Sequence, residues 1–407
     1  LIESLKEGGR SASGLIRHRT RALLIVSEIA IGTVLLVGAG LMVRTLFELH
    51  RVSPGFDPEH VLTFEINPRG SHRIESVNQY ERAFSAIPGV ESVGAISHLP
   101  LGDYPNWYSP YAPEGVSAAE QNHLLADYRA ITPGFFRAIG ARLIEGRDFN
   151  GMDRPGGHDV VIVDDMLAAQ TWPGKIALGQ KLNVELFGGD GDFSQHWAEV
   201  VGVVMHVKTH SLLRAVRGEI FIPYTQSPRE HLGFVLRTGG DPMAVASAVR
   251  AEVRKIDKTQ AVANIRPMEE YVAGAMGATN FTALLAAIFA VLALMLATVG
   301  VYGVVSYSAT QRRQEIGVRV ALGARRSDIG RLVVKEALVL GSAGLALGLA
   351  GSAALSGYLQ GFLFRVPARD PVTYSCILVV IMLAVFFACS RPAYKAASGN
   401  PVEALRQ

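Results

Sequence analysis

Two groups of residues have spacings that could bind a metal ion. His206 and His210 stand four residues apart, which on a helix would put two imidazoles on one face. They follow a predicted strand at 199–204 and have no obvious third ligand, so we expect both to be surface residues of a loop. The segment 188–192 begins like a calcium-binding loop but lacks the later ligands and the closing glutamate, which favours a turn. We predict no metal site.

The sequence contains no motif for catalysis or nucleotide binding. It has no G-x-x-x-x-G-K-[ST] loop to hold phosphates, no H-E-x-x-H zinc motif and no G-x-S-x-G nucleophile motif. The two cysteines, Cys376 and Cys389, would stand ~20 Å apart on a helix, which is too far for a disulfide. We therefore predict no catalytic residue and no cofactor bound by this chain, and we do not expect an enzyme.

One carboxylate stands inside an apolar stretch near the N-terminus. Glu28 lies about 10 Å inside the segment 22–46, if that segment is helical. A carboxylate near the centre of a bilayer costs ~2.5–3.5 kcal/mol on insertion scales. One interpretation is a functional intramembrane charge. The other is an interfacial glutamate that pairs with Arg21 or another base on the cytoplasmic side.

The stretch 311–332 combines charges and glycines with a helical pattern. Glu315 and Arg319 stand at positions i and i+4, in the favourable order for an ion pair. Gly323 fits a left-handed helix C-cap, and Ser327 fits the N-cap of the next helix. The pattern predicts a short surface helix that ends sharply before the next apolar segment. A plain basic membrane anchor is the alternative, but an anchor needs neither the glutamate nor the Gly-Ala break.

The composition and the apolar segments of the chain predict a membrane protein. Of the 407 residues, 49% are apolar and only 18% are charged, against about 25% charged in soluble domains. Segments long and apolar enough to cross a bilayer occur at 22–46, 281–308, 337–364 and 371–390. The net charge of +3 is too small to predict a nucleic-acid partner, so we expect membrane lipid and no nucleic acid.

The basic residues predict the orientation of the spans. The N-terminal segment 1–21 carries five, the loop 309–335 carries seven, and the tail 391–407 carries three. Short loops rich in lysine and arginine stay in the cytoplasm. We therefore place these three segments inside and the long segment 48–280 outside.

The outer segment has the patterns of a folded α+β domain. Two β-α-β units are visible, one near each end, with strands and helices at 61–66, 75–87, 89–96, 234–237, 242–256 and 261–266. This arrangement predicts a split ferredoxin-like sheet at about 57–99 and 231–270. A lobe inserted at about 100–230 shows short strands at 159–163 and 199–204. The predicted fold class is membrane α-helical, with four transmembrane helices and a large α+β domain inserted between helices 1 and 2.

Glycines are spaced along one face of the third span. They are Gly341, Gly344, Gly348 and Gly351. Small residues at this spacing let helix backbones approach closely in a membrane, where no hydrophobic force drives helices together. Packing within the four-helix set is one interpretation, and a dimer seam is the other.

The segment 313–325 reads RQEIGVRVALGAR, which closely resembles the cytoplasmic motif of MacB/FtsX-type ABC transporter permeases. The tail NPVEALR at 400–406 resembles the ending of that family. The outer segment is similar to the MacB-type periplasmic core through VSPGF at 52–56, PGVESV at 88–93, EGRDF at 145–149 and VVGVV at 200–204. The resemblance covers essentially the whole chain.

The resemblance implies a four-span subunit that dimerises and docks on two ATPase subunits. Residues 48–280 would form the MacB-like periplasmic core, and 281–407 the FtsX-like permease domain. In relatives, ATP-driven motion passes through the membrane to the periplasmic domain, without a substrate path through the spans; this is called mechanotransmission. The coupling segment carries over onto Arg313, Glu315, Ile316, Gly317, Arg319, Gly323, Ala324 and Arg325.

The resemblance also implies partners and a location. We expect a separate ABC ATP-binding subunit, which would hold the ATP, and a second permease copy or the other half of a tandem permease. A periplasmic adaptor or an outer-membrane channel is a further expected partner. The location would be the bacterial cytoplasmic (inner) membrane, with both termini in the cytoplasm. Because the segment LKEGGR at 5–10 resembles the joint before the second half of tandem permeases, and the chain begins at Leu1, we expect a partial chain.

Three functions are open at this point. The chain could be an export-type permease for a periplasmic or membrane-extracted substrate, or a non-transporting transducer that activates a periplasmic partner. A membrane-anchored receptor without an ATPase is the third. The motif at 313–325 disfavours the receptor, and the large outer domain favours the export-type permease.

Overall fold

The computed structural model describes residues 2–51, 53–68, 72–116, 124–187, 193–209, 217–311 and 326–397. The chain divides into two compact units. A membrane unit comprises Leu1–Arg51 and Ala278–Gln407, and an outer unit comprises Val52–Gly277. The outer unit is shorter at both ends than the predicted segment 48–280.

The helices within the described ranges begin and end as follows: α1 (Ile2–His50), α2 (Arg73–Ser85), α3 (Phe135–Ile139), α4 (Asp165–Thr171), α5 (Ala246–Ile256), α6 (Met268–Gln311), α7 (Arg326–Leu359) and α8 (Pro371–Ala397). Two short 3₁₀ turns lie at Pro242–Val245 and Gln360–Phe362. The helices predicted at 75–87 and 242–256 are therefore present with shifted ends. The second begins as a 3₁₀ turn because Pro242 follows the capping residue Asp241, whose side chain accepts a hydrogen bond from the Met243 amide.

The strands within the described ranges are β1 (Val61–Ile66), β2 (Val90–Ile96), β3 (Tyr108–Pro110), β4 (Ala112–Pro113), β5 (Leu125–Ile131), β6 (Leu143–Gly146), β7 (Val160–Asp164), β8 (Lys181–Phe187), β9 (Phe193–Val204), β10 (Glu219–Pro223), β11 (Leu232–Thr238) and β12 (Ala263–Pro267). They form one sheet in the order β12-β1-β11-β2-β5-β10-β7-β9-β8-β4, with β3 paired to β5 and β6 paired to β9.

Four helices of the membrane unit contain stretches long and apolar enough to cross a membrane, as the sequence predicts. These stretches are Ala22–Leu49, Thr279–Tyr307, Leu338–Tyr358 and Pro371–Ser390, and we call them spans 1 to 4. The third prediction, 337–364, is too long, because α7 ends at Leu359 and a 3₁₀ turn follows. Gly361 lies in that turn, and glycine commonly follows the end of a helix.

The outer unit contains the predicted split ferredoxin-like sheet. Strands β12, β1, β11 and β2 are neighbours in that order, and each adjacent pair is antiparallel. The crossovers are made by α2, between β1 and β2, and by α5, between β11 and β12. This confirms the two β-α-β units.

Aromatic residues fill the core beneath these two helices. The Phe64 and Phe234 rings stack with centroids 5.5 Å apart, and the Phe84 ring meets both edge-on. Tyr80 of α2 and Val249 of α5 are buried in the same cluster. Because strand residues on one face point the same way, the pattern Leu62, Phe64 and Ile66 supplies the sheet side of this core.

The inserted lobe continues the same sheet and has more strands than predicted. The two predicted strands correspond to β7 and to the end of β9. The sequence analysis did not predict strands β3, β4, β5, β6, β8 and β10. In β5 the sequence Leu-Ala-Asp-Tyr-Arg-Ala-Ile places Asp127 and Arg129 at buried positions, so the usual apolar signal of a strand is broken.

Two turns of the outer unit depend on glycine. Gly55 has a φ of +86°, and a Cβ there would lie 2.0 Å from the carbonyl oxygen of His206. Gly146 has a φ of +76°, and a Cβ there would lie 2.2 Å from the carbonyl oxygen of Val201. Any other residue would be strained and would clash with backbone, so the segments 52–56 and 145–149 each need their glycine.

Candidate functional site

The predicted coupling positions lie outside the described residues. All eight of them fall within 313–325, between the end of α6 at Gln311 and the start of α7 at Arg326. Their role stays a prediction. The structure does describe how the four spans touch one another, and motion within the membrane unit must pass through those contacts. We therefore treat these contacts, which we call the span contacts, as the candidate functional site.

Glu28 lies on span 1 and its carboxylate rests against span 2. A Cβ on Gly300 would stand 2.1 Å from Oε2 of Glu28, so the glycine leaves the space that the carboxylate occupies. The Glu28 residue is otherwise exposed on the surface of the chain. The side chain of Arg21, the partner considered from the sequence, lies outside the described side chains. The role of Glu28 stays a prediction.

The glycines of span 3 face neighbouring spans of the same chain. A Cβ on Gly344 would lie 2.8 Å from Cβ of Ile29, and one on Gly348 would lie 2.4 Å from Cβ of Thr33, both on span 1. A Cβ on Gly341 would lie 3.2 Å from a methyl group of Val385 on span 4. Gly351 makes a looser contact, with Val34 at 3.5 Å. The glycine face is thus occupied within the chain.

An ion pair joins spans 1 and 4, and the sequence analysis did not find it. The Arg44 guanidinium donates to Oδ2 of Asp370, whose side chain is only 4% exposed. The same carboxylate caps α8, because it accepts hydrogen bonds from the Thr373 amide at 2.9 Å and from its hydroxyl at 2.6 Å. An Asp followed by Pro371 is a visible N-cap signal. Nothing in the sequence connects it with Arg44, 326 residues away.

Close packing also surrounds this ion pair. A Cβ on Gly40 of span 1 would lie 2.8 Å from the methyl group of Thr373 and 3.2 Å from the end of Ile377. Spans 1 and 4 therefore meet through a glycine and a half-buried charge pair, one helical turn apart along span 1.

The crevice among spans 1, 2 and 4 is almost closed. Its lining is apolar apart from two threonines, and its volume is about 10 Å³. A water needs roughly 10–15 Å³ and a drug-sized ligand roughly 300–1,000 Å³. This crevice, lined by residues such as Gly32, Leu36, Ala297 and Ile381, does not admit a substrate.

His206 is held by a carboxylate in the outer unit. It lies in the loop after β9, as expected, and its side chain is half-buried there, with 15% of it exposed. Its Nδ1 is hydrogen-bonded to Asp164, which also caps α4 by accepting from the Leu167 amide. Burial lowers the pKa of His206, but the hydrogen bond to Asp164 and the negative charges of Asp164, Glu219 and Asp165 together outweigh burial and raise it. His210 lies outside the described residues.

A buried ionic network lies beside that histidine. Arg129 is fully buried, 3.5 Å from the Glu219 carboxylate and 3.2 Å from the Thr209 hydroxyl, which itself donates to Glu219. Burial raises the pKa of Glu219 to about 7, although the charge of Arg129 opposes the shift. Because Arg129, Glu219 and Thr209 come from β5, β10 and the loop after β9, the network ties three segments of the inserted lobe together.

Comparison with protein families gives two matches along the chain. Residues 22–256 match the MacB-like periplasmic core domain, and residues 287–401 match the FtsX-like permease C-terminal domain. The first match includes span 1 and most of the outer unit. The second match follows it along the chain and includes most of span 2 together with spans 3 and 4.

Named relatives are ABC transporter proteins. The macrolide export ATP-binding/permease protein MacB of Sodalis glossinidius is 28% identical over 69% of this chain, and the MacB of Agrobacterium fabrum is 30% identical over 69%. The chain spans only 43% of the length of each. The uncharacterized ABC transporter permease YknZ of Bacillus subtilis is 23% identical over 99% of both chains.

Solved structures of outer domains from this group are also similar. The periplasmic region of MacB from Actinobacillus actinomycetemcomitans is 15% identical, with a TM-score of 0.33 over 52% of this chain and 90% of that one. The extracellular domain of the YknZ transporter from Gram-positive bacteria is 12% identical, with a TM-score of 0.33 over 50% and 100%.

The predicted fold class is confirmed, with four candidate membrane spans and an α+β MacB-like domain between the first and second. These features fit a multi-pass protein of the inner membrane. Since the MacB-like match alone covers more than half of the 407 residues, the chain belongs to the MacB/FtsX family of ABC transporter permeases.

Proposed function

We propose that this permease couples ATP hydrolysis on a separate ATP-binding subunit to movement of its outer unit, for the export or extraction of a substrate. The observation that carries the proposal is the close packing of the spans. Span 3 contacts span 1 through glycines, span 4 is joined to span 1 by a half-buried ion pair, and the crevice of about 10 Å³ among spans 1, 2 and 4 leaves no room for a substrate. Such a unit can transmit motion without opening a path.

Helix α6 supports the same proposal. It is continuous from Met268 to Gln311, so one helix holds both span 2 and the residues before it. Met268 and Tyr271 at its beginning are buried in the hydrophobic core of the outer unit.

A separate ATP-binding subunit is proposed from the relatives. The MacB relatives, whose names include ATP-binding, are more than twice as long as the part that this chain spans, whereas the permease YknZ is spanned over 99% of its length. We further propose a second permease copy or the other half of a tandem permease as a partner, and a periplasmic adaptor or outer-membrane channel at the outer unit. Both termini and the loop 309–335 would face the cytoplasm.

The experiment is reconstitution. The chain is placed in nanodiscs with and without the ATP-binding subunit that co-purifies with it, and ATP turnover is measured. We expect no turnover by the chain alone and a several-fold higher turnover for the pair than for the ATP-binding subunit alone. Turnover by the chain alone that survives removal of contaminating ATPase, or no stimulation in the pair, would contradict the proposal.

A further inference from the structure

A short segment of the outer unit, residues 205–209, follows β9 and fastens two other parts of the chain. We call this segment the strap. Its Lys208 amide donates a hydrogen bond to the Pro54 carbonyl at 2.8 Å, and its Thr209 carbonyl accepts one from the Leu101 amide at 2.6 Å. The strap therefore holds one segment that precedes β1 and one that follows β2.

The strap is itself held by carboxylates. The His206 ring is hydrogen-bonded to Asp164, and the His206 amide donates to the side chain of Asp165 at 2.8 Å. The Thr209 hydroxyl donates to the buried carboxylate of Glu219. How firmly the strap is held therefore depends on the charges of the groups beneath it.

The buried charges of this cluster do not balance when every group has its usual charge. The side chains of Asp127, Asp164 and Glu219 are at most 3% exposed. Arg129 is fully buried, 3.9 Å from Asp127 and 3.5 Å from Glu219. Among the described side chains of the cluster, three buried carboxylates thus face one buried guanidinium, and uncompensated buried charge is costly. Two bound protons, one on His206 and one on Glu219, restore neutrality.

The groups at the edge of the cluster are solvated or neutral. Arg217 approaches Asp127 to 3.6 Å, but its side chain is 46% exposed, and Asp165 is exposed as well. Lys208 is partly exposed on the strap. Burial and the nearby positive charges lower the pKa of His98 to about 3, so this ring stays neutral. Because solvent and salt screen the exposed charges, the protons within the cluster decide its balance.

The pKa shifts of the two proton-binding groups have the same sign. Burial raises the pKa of Glu219 from 4.5 to about 7. The pKa of His206 is also raised, because the bond to Asp164 and the nearby negative charges outweigh burial. A group whose pKa is higher in the folded state stabilises that state below its unfolded pKa, and this stabilisation is lost as the pH rises through the folded value. Both groups therefore favour the closed strap at acidic pH.

We propose that the strap is a pH-dependent latch, which two protons on the buried cluster keep closed on the segments before β1 and after β2, and which loosens when these protons pass to water above neutral pH. The latch goes beyond the proposed function, since it belongs to the outer unit and needs no ATP-binding subunit.

Hydrogen–deuterium exchange of the full chain in detergent measures how often the strap opens. Exchange is followed by mass spectrometry at pH 6 and pH 8, with labelling times scaled so that the intrinsic exchange chemistry is equal. We expect the protection of the Lys208 and Leu101 amides to fall about tenfold or more between the two pH values, because Glu219 loses most of its extra proton in this interval. The amides of β11 should stay better protected than those of the strap, since the strap opens without unfolding the sheet.

Two variants should act in opposite directions. Glu219→Gln resembles the protonated carboxyl, so at pH 8 the strap should keep most of the protection that the wild type has at pH 6. His206→Gln can still donate to Asp164 but carries no positive charge, so at pH 6 the protection should fall toward the wild-type value at pH 8. A purely structural role would lower protection in both variants at both pH values.

The matched control is Glu199→Gln in the same lobe. Its carboxylate lies 2.9 Å from the His158 ring in a solvated pair, with side chains 39% and 64% exposed, and the variant should keep the wild-type pH dependence of the strap. Equal wild-type protection of the strap at pH 6 and pH 8, strap protection equal to that of β11, or an undiminished pH dependence in Glu219→Gln would overturn the proposal. If Glu219→Gln does not fold, His206→Gln decides, and wild-type protection of that variant at pH 6 would overturn the latch.

Discussion

His98 is a buried histidine whose protonation the folded protein opposes. The residue is 8% exposed, and its Nδ1 lies 2.8 Å from the hydroxyl of Ser97. Burial, together with the positive charges of Arg129 and Arg229, lowers the pKa of His98 to about 3. In the unfolded chain a histidine titrates near 6.5. The stability that the neutral ring contributes is therefore fully present above about pH 6.5 and is lost as the pH falls toward the folded value.

We predict that His98→Asn makes the outer unit less sensitive to acid. Below about pH 6.5 the wild-type free energy of unfolding should fall, relative to the variant, by about 1.4 kcal/mol per pH unit. The measurement is urea unfolding of the full chain in detergent at pH 5 to 8, followed by tryptophan fluorescence. All three tryptophans, Trp107, Trp172 and Trp197, lie in the outer unit, so the signal reports that unit.

The control is the same substitution at an exposed histidine. His72 is 79% exposed, and His72→Asn should leave the wild-type pH dependence unchanged. Equal slopes for wild type and His98→Asn would show that the buried ring does not resist protonation. Glu219 and the other titrating groups are common to all three proteins, so their contributions to the pH dependence of unfolding cancel in the comparison.

At the scale of elements, the glycines of span 3 set the distance between helices. A Cβ on Gly348 would lie 2.4 Å from Cβ of Thr33 and 2.7 Å from the carbonyl oxygen of Ala30, so span 1 would have to move. We predict that Gly348→Ala destabilises the membrane unit by about 1–3 kcal/mol, the usual cost of overpacking. The measurement is the temperature at which half of the detergent-solubilised protein remains monodisperse.

Gly357 on the same helix provides the matched control. A Cβ there would meet nothing within 4 Å. Alanine is up to about 1 kcal/mol better than glycine within a helix, so Gly357→Ala should leave the midpoint unchanged or raise it. If the two variants have equal midpoints, the span contacts through Gly348 do not hold the helices together.

The pattern of apolar residues predicted the spans and the two β-α-β units, because within each helix or strand these residues follow a local pattern that can be seen in the sequence. It failed where buried residues are polar. Strand β5 has Asp127 and Arg129 inside the protein. Arg129 is stabilised by Glu219 on β10 and by Thr209 in the loop after β9, and Asp127 is stabilised by Arg217. Such compensation depends on residues roughly 80–90 positions away, which no local pattern can reveal.

The candidate site was predictable only in part, for the same reason. The glycine spacing of span 3 is local and was visible in the sequence. The Arg44–Asp370 pair was not, because each residue alone has an ordinary interpretation: Arg44 as the charged end of a span, and Asp370 as a helix cap before Pro371. Only the packing of span 1 on span 4 brings the two together.

At the scale of the whole molecule, the distribution of basic residues predicts the topology. In a background with Cys376 and Cys389 replaced by alanine, a single cysteine at Ser211 should react with a membrane-impermeant maleimide from outside. A single cysteine at Ser327 should react only after the membrane is permeabilised. The reason is that a short loop rich in lysine and arginine, such as 309–335, is expected to stay in the cytoplasm while the outer unit is translocated. The reverse labelling pattern would contradict the orientation.

We propose that the segment 311–323, which the distribution of basic residues places in the cytoplasm, passes motion from an ATPase to the spans. Glu315→Lys tests it, because the surface ion pair that the i, i+4 spacing predicts between Glu315 and Arg319 would support stability by only a few tenths of a kcal/mol. The variant should therefore fold and insert normally. A reversed charge at a docking face should nevertheless weaken binding to the ATPase or abolish its stimulation.

The decisive measurement is ATP turnover of the co-purified ATP-binding subunit, reconstituted with wild type, Glu315→Lys or the charge-reversal control Arg369→Glu, which changes the short loop between spans 3 and 4. We predict full stimulation by wild type and by Arg369→Glu, and little or none by Glu315→Lys. Wild-type binding and stimulation by Glu315→Lys would mean that the segment is only a membrane anchor, and would contradict the coupling account.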